Sequence, residues 1–182
     1  MAKVMKLTAL FSTLLTVLWA GLYLGIRKAW LLTPAITFGT TAYHFVMRLL
    51  TGWVIDLILH NRVNYKARWF QTSPLELKLY KALRVRSWKS GMPSYAPDCF
   101  DPGLHSWEEI LQAMCQAELV HEGIILLSFV PVLASVYFGA FWVFAVTSFL
   151  AALFDAMFVI MQRYNRPRVM KLLGAAEAKK ER

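Results

Sequence analysis

The stretch "QAELVHEG" carries side chains suited to proton chemistry. Glu118 and His121 are three residues apart and Glu118 and Glu122 four apart, so a helix puts all of them on one face. Histidine is the side chain best placed to move protons near neutral pH, and an adjacent carboxylate orients its ring. The expectation is therefore an acid–base pair with His121 as base and Glu118 as its orienting carboxylate. An interfacial polar belt with an incidental histidine explains the same residues, because such belts are common where spans end.

A second candidate lies in "MQRYNRPRVMK", where Arg163, Arg166 and Arg168 follow an apolar run directly. Any membrane helix ends on basic residues, so charge alone says little. Asn165 and Pro167 are expected to end the helix at a fixed place, which would hold the arginines in position. Arginine's planar fork grips phosphate at two points, so Arg163, Arg166 and Arg168 are read as a seat for a donor's phosphates or for a lipid headgroup. Asn165 would fix the turn or polarise a carbonyl. A third group is His44 and Arg48, one helical turn apart, with Asp155 on a later apolar segment as the partner for Arg48. Ionisable groups at such depth face a cavity or one another, and a buried ion pair that sets helix register accounts for them equally well. No Cys or His spacing of a metal site occurs, and Cys99 and Cys115 are expected as reduced thiols.

The elements that must position these groups are apolar. Hydrophobic residues make up 58% of the 182, well above a soluble domain's usual share, and they collect in blocks long enough for a bilayer. Spans are expected at about 7–26, 34–59, 118–138 and 140–161. The first is too long for a signal-peptide core, and Thr33-Pro34 is expected to cap the second. The last two must form a tight hairpin around Gly139. Residues 60–116 are read as an amphipathic, interfacial segment. Ser73-Pro74 is expected to start a short helix there, with leucines and Trp88 lying on lipid and lysines at headgroups, and a surface helix with solvated charges explains the same pattern equally well. "SWEE" at 106–109 is a capping box that starts a stalk running into the third span. The residues "AAEAKKER" read as a frayed tail.

Lysine and arginine counts set the orientation. Residues 60–116 hold eight, and the stretch beyond Met161 seven. Arg27 and Lys28 alone fall in the proposed outer loops. The expected fold is an all-α integral membrane bundle of four transmembrane helices, one domain over 1–182, with both termini and the 60–116 segment cytoplasmic. The net charge of +9 is thereby explained as topology and attraction to anionic lipid, which leaves nucleic acid no role.

Three pieces of the chain together resemble a known family. "VRSWK" (85–89), "QAELVH" (116–121) with the apolar run behind it, and "MQRYNRPRVMKLL" (161–173) are similar to the glycosyl-4,4'-diaponeurosporenoate acyltransferases, small bacterial membrane proteins. "AYHFVMRLLTG" (42–52) looks like a longer branch of that family. The resemblance implies a multi-pass protein of the bacterial cell membrane that esterifies a sugar hydroxyl of a membrane glycolipid. The donor would be acyl-CoA or acyl carrier protein, with no bound cofactor. Lys89 and Trp88 would complete the donor site. Acylation of another glycolipid or a phospholipid, or a non-enzymatic scaffold that binds lipid, are the alternatives.

Overall fold

The computed structural model describes residues 1–139 and 141–180. Its helices are α1 (Ala2–Ile26), α2 (Leu32–Leu59), α3 (Pro74–Ala82), α4 (Val85–Trp88), α5 (Trp107–Leu127), α6 (Val130–Phe138) and α7 (Phe141–Lys180), and the described residues form no strand. Four helical stretches, 2–26, 29–59, 107–138 and 141–180, are long and apolar enough to cross a membrane. The protein is an all-α membrane bundle.

Lipid offers no hydrophobic drive for helices to associate, so close contact falls to small residues. That is how α1 meets α2. Ala9 and Ser12 of α1 and Ala35 and Ala42 of α2 are buried, and Thr16 lies against Gly39. Leu7, Leu10, Phe11, Leu14 and Val17 stay exposed, as a lipid-facing surface requires. α2 then packs on α5, where a Cβ on Gly123 would meet the Thr51 methyl at 3.3 Å. α5 in turn packs along α7.

Two prolines shape the last spans, and each frees a carbonyl four residues earlier. Such a carbonyl must find another donor inside a membrane protein. Pro131 frees Leu127, and the Tyr43 hydroxyl of α2 donates to that oxygen at 2.8 Å. Pro167 frees Arg163, and the Thr72 hydroxyl donates to it at 3.1 Å. The outcomes differ. At Pro131 the third span breaks around Ser128 and Phe129, so the expected continuous 118–138 helix is two helices. At Pro167 the helix continues to Lys180. The expected stop at Asn165 and Pro167 is therefore wrong, and "AAEAKK" is helical instead of frayed, with Glu181 and Arg182 outside the described residues. A mixed apolar cluster carries the helix onward. Val169, Met170 and Leu173 pack on Val63, Tyr65, Phe70, Leu111 and Cys115.

Other boundaries also moved. A 3-10 turn at Ala29–Leu31 leads into α2, so Thr33 lies inside the helix and does not cap it. Pro34 still falls in the first turn, where its missing N–H costs nothing. Both capping boxes form, Ser73 with Glu76 and Ser106 with Glu109. The helix after Ser73 stops at Leu83, because Arg84 sits in the left-handed region at φ 49°, and α4 begins afresh. Leu75, Leu77, Leu79 and Leu83 are exposed, while Tyr80 faces inward. Gly139 adopts φ 69°, which glycine takes without strain, and Ala140 lies outside the described residues. Cys99 and Cys115 are free thiols.

Replacing Thr72 by valine should cost about 1 kcal/mol by orphaning the Arg163 carbonyl. Thermal unfolding in detergent measures the loss. The Thr72→Val loss should shrink in a Pro167→Ala background, where the backbone N–H returns.

Candidate functional site

The polar side chains that α5 and α7 turn toward each other form two layers. The layer nearer the 60–106 segment centres on Glu118, which is fully buried. Arg163 Nη1 donates to its Oε1 at 2.6 Å, and Arg166 Nη2 donates to Oε2. Arg166 is also fully buried. The same guanidinium groups hold the backbone of the 68–70 turn. Arg163 donates to the carbonyls of Trp69 at 2.9 Å and Gln71 at 3.3 Å, and Arg166 to that of Phe70 at 2.7 Å. These are orphan carbonyls of a short turn, which the planar forks cap. Glu76 at the start of α3 completes the layer, accepting from Arg163 Nε at 2.7 Å. Burial presses the Glu76 carboxyl upward, but hydrogen bonds from Arg163 and from Ser73 outweigh it and hold it at about 2. Two cations thus face two anions, and the layer is neutral.

The second layer lies deeper in the bundle. Asp155 of α7, 1% exposed, divides its oxygens between two partners. Oδ1 faces His121 Nδ1 at 2.9 Å, and Oδ2 accepts from Arg48 of α2. Arg48 is held further by the carbonyls of His44 at 3.0 Å and Ala151 at 3.4 Å. The Phe158 ring stacks on His121 with centroids 4.4 Å apart and planes within 4°. In the neutral ring, contact with a carboxylate favours the proton on Nδ1 and leaves the lone pair on Nε2. Nε2 has no hydrogen-bond partner among the described residues, and the side chain is 21% exposed. This layer is an oriented imidazole beside a compensated carboxylate.

The expected partnerships are therefore exchanged. Glu118 does not orient His121, because it is committed to Arg163 and Arg166, and Asp155 takes that position. Residues three apart on a helix share a face, but partners across the α5–α7 seam decide where each side chain bonds. Arg163 and Arg166 are equally unfit as a phosphate seat, since Glu118, Glu76 and three carbonyls engage them and the one nitrogen left over, Arg166 Nε, is buried. The expected pair Arg48–Asp155 is present. His44 adjoins it with both ring nitrogens buried and without a partner among the described residues. Glu122 accepts from the Trp69 indole at 3.1 Å, outside both layers. Lys89 Nζ donates to Asn165 Oδ1 and lies 4.8 Å from the Tyr164 ring centroid. Arg168 is exposed close by. Trp88 instead closes its own turn, donating to the Leu83 carbonyl at 3.0 Å. Asp155 as the histidine's carboxylate went unassigned from sequence, although its isolation in an apolar run was a signal.

No group of metal-ligating side chains occurs among the described residues. Removing Glu118 leaves the fully buried Arg166 without an anion and Arg163 with Glu76 alone. Breaking such a pair costs about 3–5 kcal/mol, so Glu118→Ala should abolish recovery of folded protein from membranes. Size-exclusion profiles in detergent check this. His121→Ala should yield folded protein at near-normal levels, since it leaves the Arg48–Asp155 pair intact.

A family model described as glycosyl-4,4'-diaponeurosporenoate acyltransferase matches residues 66–175. No curated protein and no solved structure matches the chain. The matched segment carries the Glu118–Arg163–Arg166 layer and the His121–Asp155 pair, while His44 and Arg48 precede it. With more than half of its length matched, the chain belongs to the glycosyl-4,4'-diaponeurosporenoate acyltransferase family.

Proposed function

We propose that this protein transfers a fatty acyl group from an activated thioester to a sugar hydroxyl of a membrane glycolipid, in a bacterial cell membrane. The observation that carries the reading is His121, with Nδ1 fixed on Asp155 and Nε2 unengaged. Imidazole oriented in this way is the base half of the arrangement that acyl transfer uses on many folds. The hydroxyl of the acceptor takes the place of an enzyme nucleophile. Nε2 removes its proton as the oxygen attacks the thioester carbonyl. The tetrahedral intermediate collapses, the carbon–sulfur bond breaks, and the thiolate leaves with the proton that His121 has held.

The other residues prepare this step. Asp155 sets the tautomer and stabilises the imidazolium that forms. Phe158 fixes the plane of the ring. Arg48 compensates the carboxylate in a setting where an unpaired charge is expensive. The Glu118–Arg163–Arg166 layer does no chemistry in this reading. It holds the 68–70 turn and the two helices in register. Depth also supports the reading: Asp155 lies fourteen residues into α7, about 21 Å of helix rise, close to the end that carries the 60–106 segment. A lipid-borne acceptor and a water-soluble donor meet at such a level. A glycosylated carotenoid is the acceptor that the family description names, and the donor is a thioester of coenzyme A or of acyl carrier protein.

Mass spectrometry of membrane lipids with and without the protein tests the reading. An acylated glycolipid should appear only with the active chain. His121→Ala should lower its formation by about 10²–10⁴-fold, the usual contribution of a positioned base. Asp155→Asn, which also strips Arg48 of its anion, should lower the turnover of the protein that is still recovered folded, while the acceptor KM changes little. A His121→Ala protein that keeps most of its turnover would remove His121 as base.

A further inference from the structure

The charged side chains of the two layers neutralise one another, whereas the lysines and arginines outside them have no ion pair among the described residues, and three of these lie near one another. Arg86 and Lys89 come from α4 and its end, and Arg168 from α7. None of the three has a carboxylate within ion-pair distance among the described residues. Partial burial, then Arg168, then Arg86 lower the pKa of Lys89, so these cations crowd one another. Lys89 is also held in place, by Asn165 Oδ1 and against the Tyr164 ring, instead of swinging free in solvent. Like charges gathered on fixed elements, with a neutral acceptor as their only anchor, favour the arrival of an anion.

We propose that Arg86, Lys89 and Arg168 seat the diphosphate of a coenzyme A-type acyl donor. The inference rests on the acyl-transfer reading and names its donor. Phosphate chemistry is common to two sources here, the soluble donor and the headgroups of anionic phospholipids. Two observations favour the donor. Three cations match the charge of a diphosphate better than that of a single phosphodiester. Asn165 also follows Asp155 by ten residues of α7, about 15 Å of helix rise, which lies within the reach of an extended pantetheine arm. The diphosphate would remain at the end that carries the 60–106 segment while the thioester reaches His121.

The test is equilibrium binding of free coenzyme A to the purified chain in nanodiscs of neutral phosphatidylcholine, read by calorimetry. Lys89→Gln and Arg168→Gln should each weaken binding by about tenfold, as expected for one lost charge-assisted contact. Lys89→Arg, which keeps the charge, should bind nearly normally and shows that the fold tolerates change there. His121→Ala should bind coenzyme A as tightly as the parent, which separates the seat from the chemistry. Should the seat variants weaken binding while His121→Ala retains turnover, the seat stands and the assigned base fails. In a second arm, phosphatidylglycerol is added to the nanodiscs. Unchanged coenzyme A affinity in both Gln variants overturns the donor seat, and so does a loss confined to phosphatidylglycerol binding.

Discussion

Charge neutrality along the α5–α7 seam is the constraint on which the rest of the structure depends. A membrane helix that buries an ion must bury its partner as well, because desolvating a lone charge costs several kcal/mol. Glu118 has no access to solvent, and Arg163 and Arg166 close on both of its oxygens. The two arginines, three residues apart, come from one face of α7. This fixes both the rotation of α7 about its axis and its height against α5. The same rotation delivers Asp155 to His121 and Phe158 to the ring beside it. The candidate base is therefore positioned by an ion cluster that it does not touch.

The arginine layer also joins membrane and loop. Its outer donors hold three consecutive carbonyls, those of Trp69, Phe70 and Gln71, and its carboxylate partner Glu76 opens α3. The 68–76 stretch is thus anchored to α7 although it has little regular structure. Thr72 donates in the other direction, filling the carbonyl that Pro167 leaves open. Tyr43 does the same service for Pro131. In both places a proline in one span is tolerated because a hydroxyl from another element replaces the missing donor. Packing beyond the proline then decides whether the helix ends. α7 has an apolar cluster to continue onto, whereas Ser128 and Phe129 mark a break within the third span.

The two layers differ in what they leave over. In the Glu118 layer both carboxylates are engaged with protein groups, and the nitrogen left over, Arg166 Nε, is buried. In the Asp155 layer one nitrogen of His121 remains, on a ring that is otherwise fixed. Chemistry belongs where a fixed group has unused capacity, and stability where capacity is consumed. The proposed roles rest on that distinction and on the partial exposure of the His121 ring.

The four apolar blocks, the capping box at Ser106, the helix start at Ser73 and the Arg48–Asp155 pair were legible in the sequence, because each rests on a simple rule. Uncharged runs must find lipid, Ser-x-x-Glu caps its own helix, and a lone aspartate in a span needs a cation. The matched pieces at 85–89, 116–121 and 161–173 likewise pointed to the family. What remained hidden was every choice among partners of equal type. Glu118 had His121 three residues away on its own helix and two arginines more than forty residues away in sequence. Proximity along the chain favoured the first, and packing across the seam imposed the second. Pro167 carries a local signal to stop, and only a distant threonine and an apolar cluster overrule it. The sequence by itself determined which segments enter the membrane and which charges go with them. Tertiary structure decided which charges cancel and which imidazole nitrogen stays free, because a buried ion takes its partner from whatever the neighbouring helix presents at its depth.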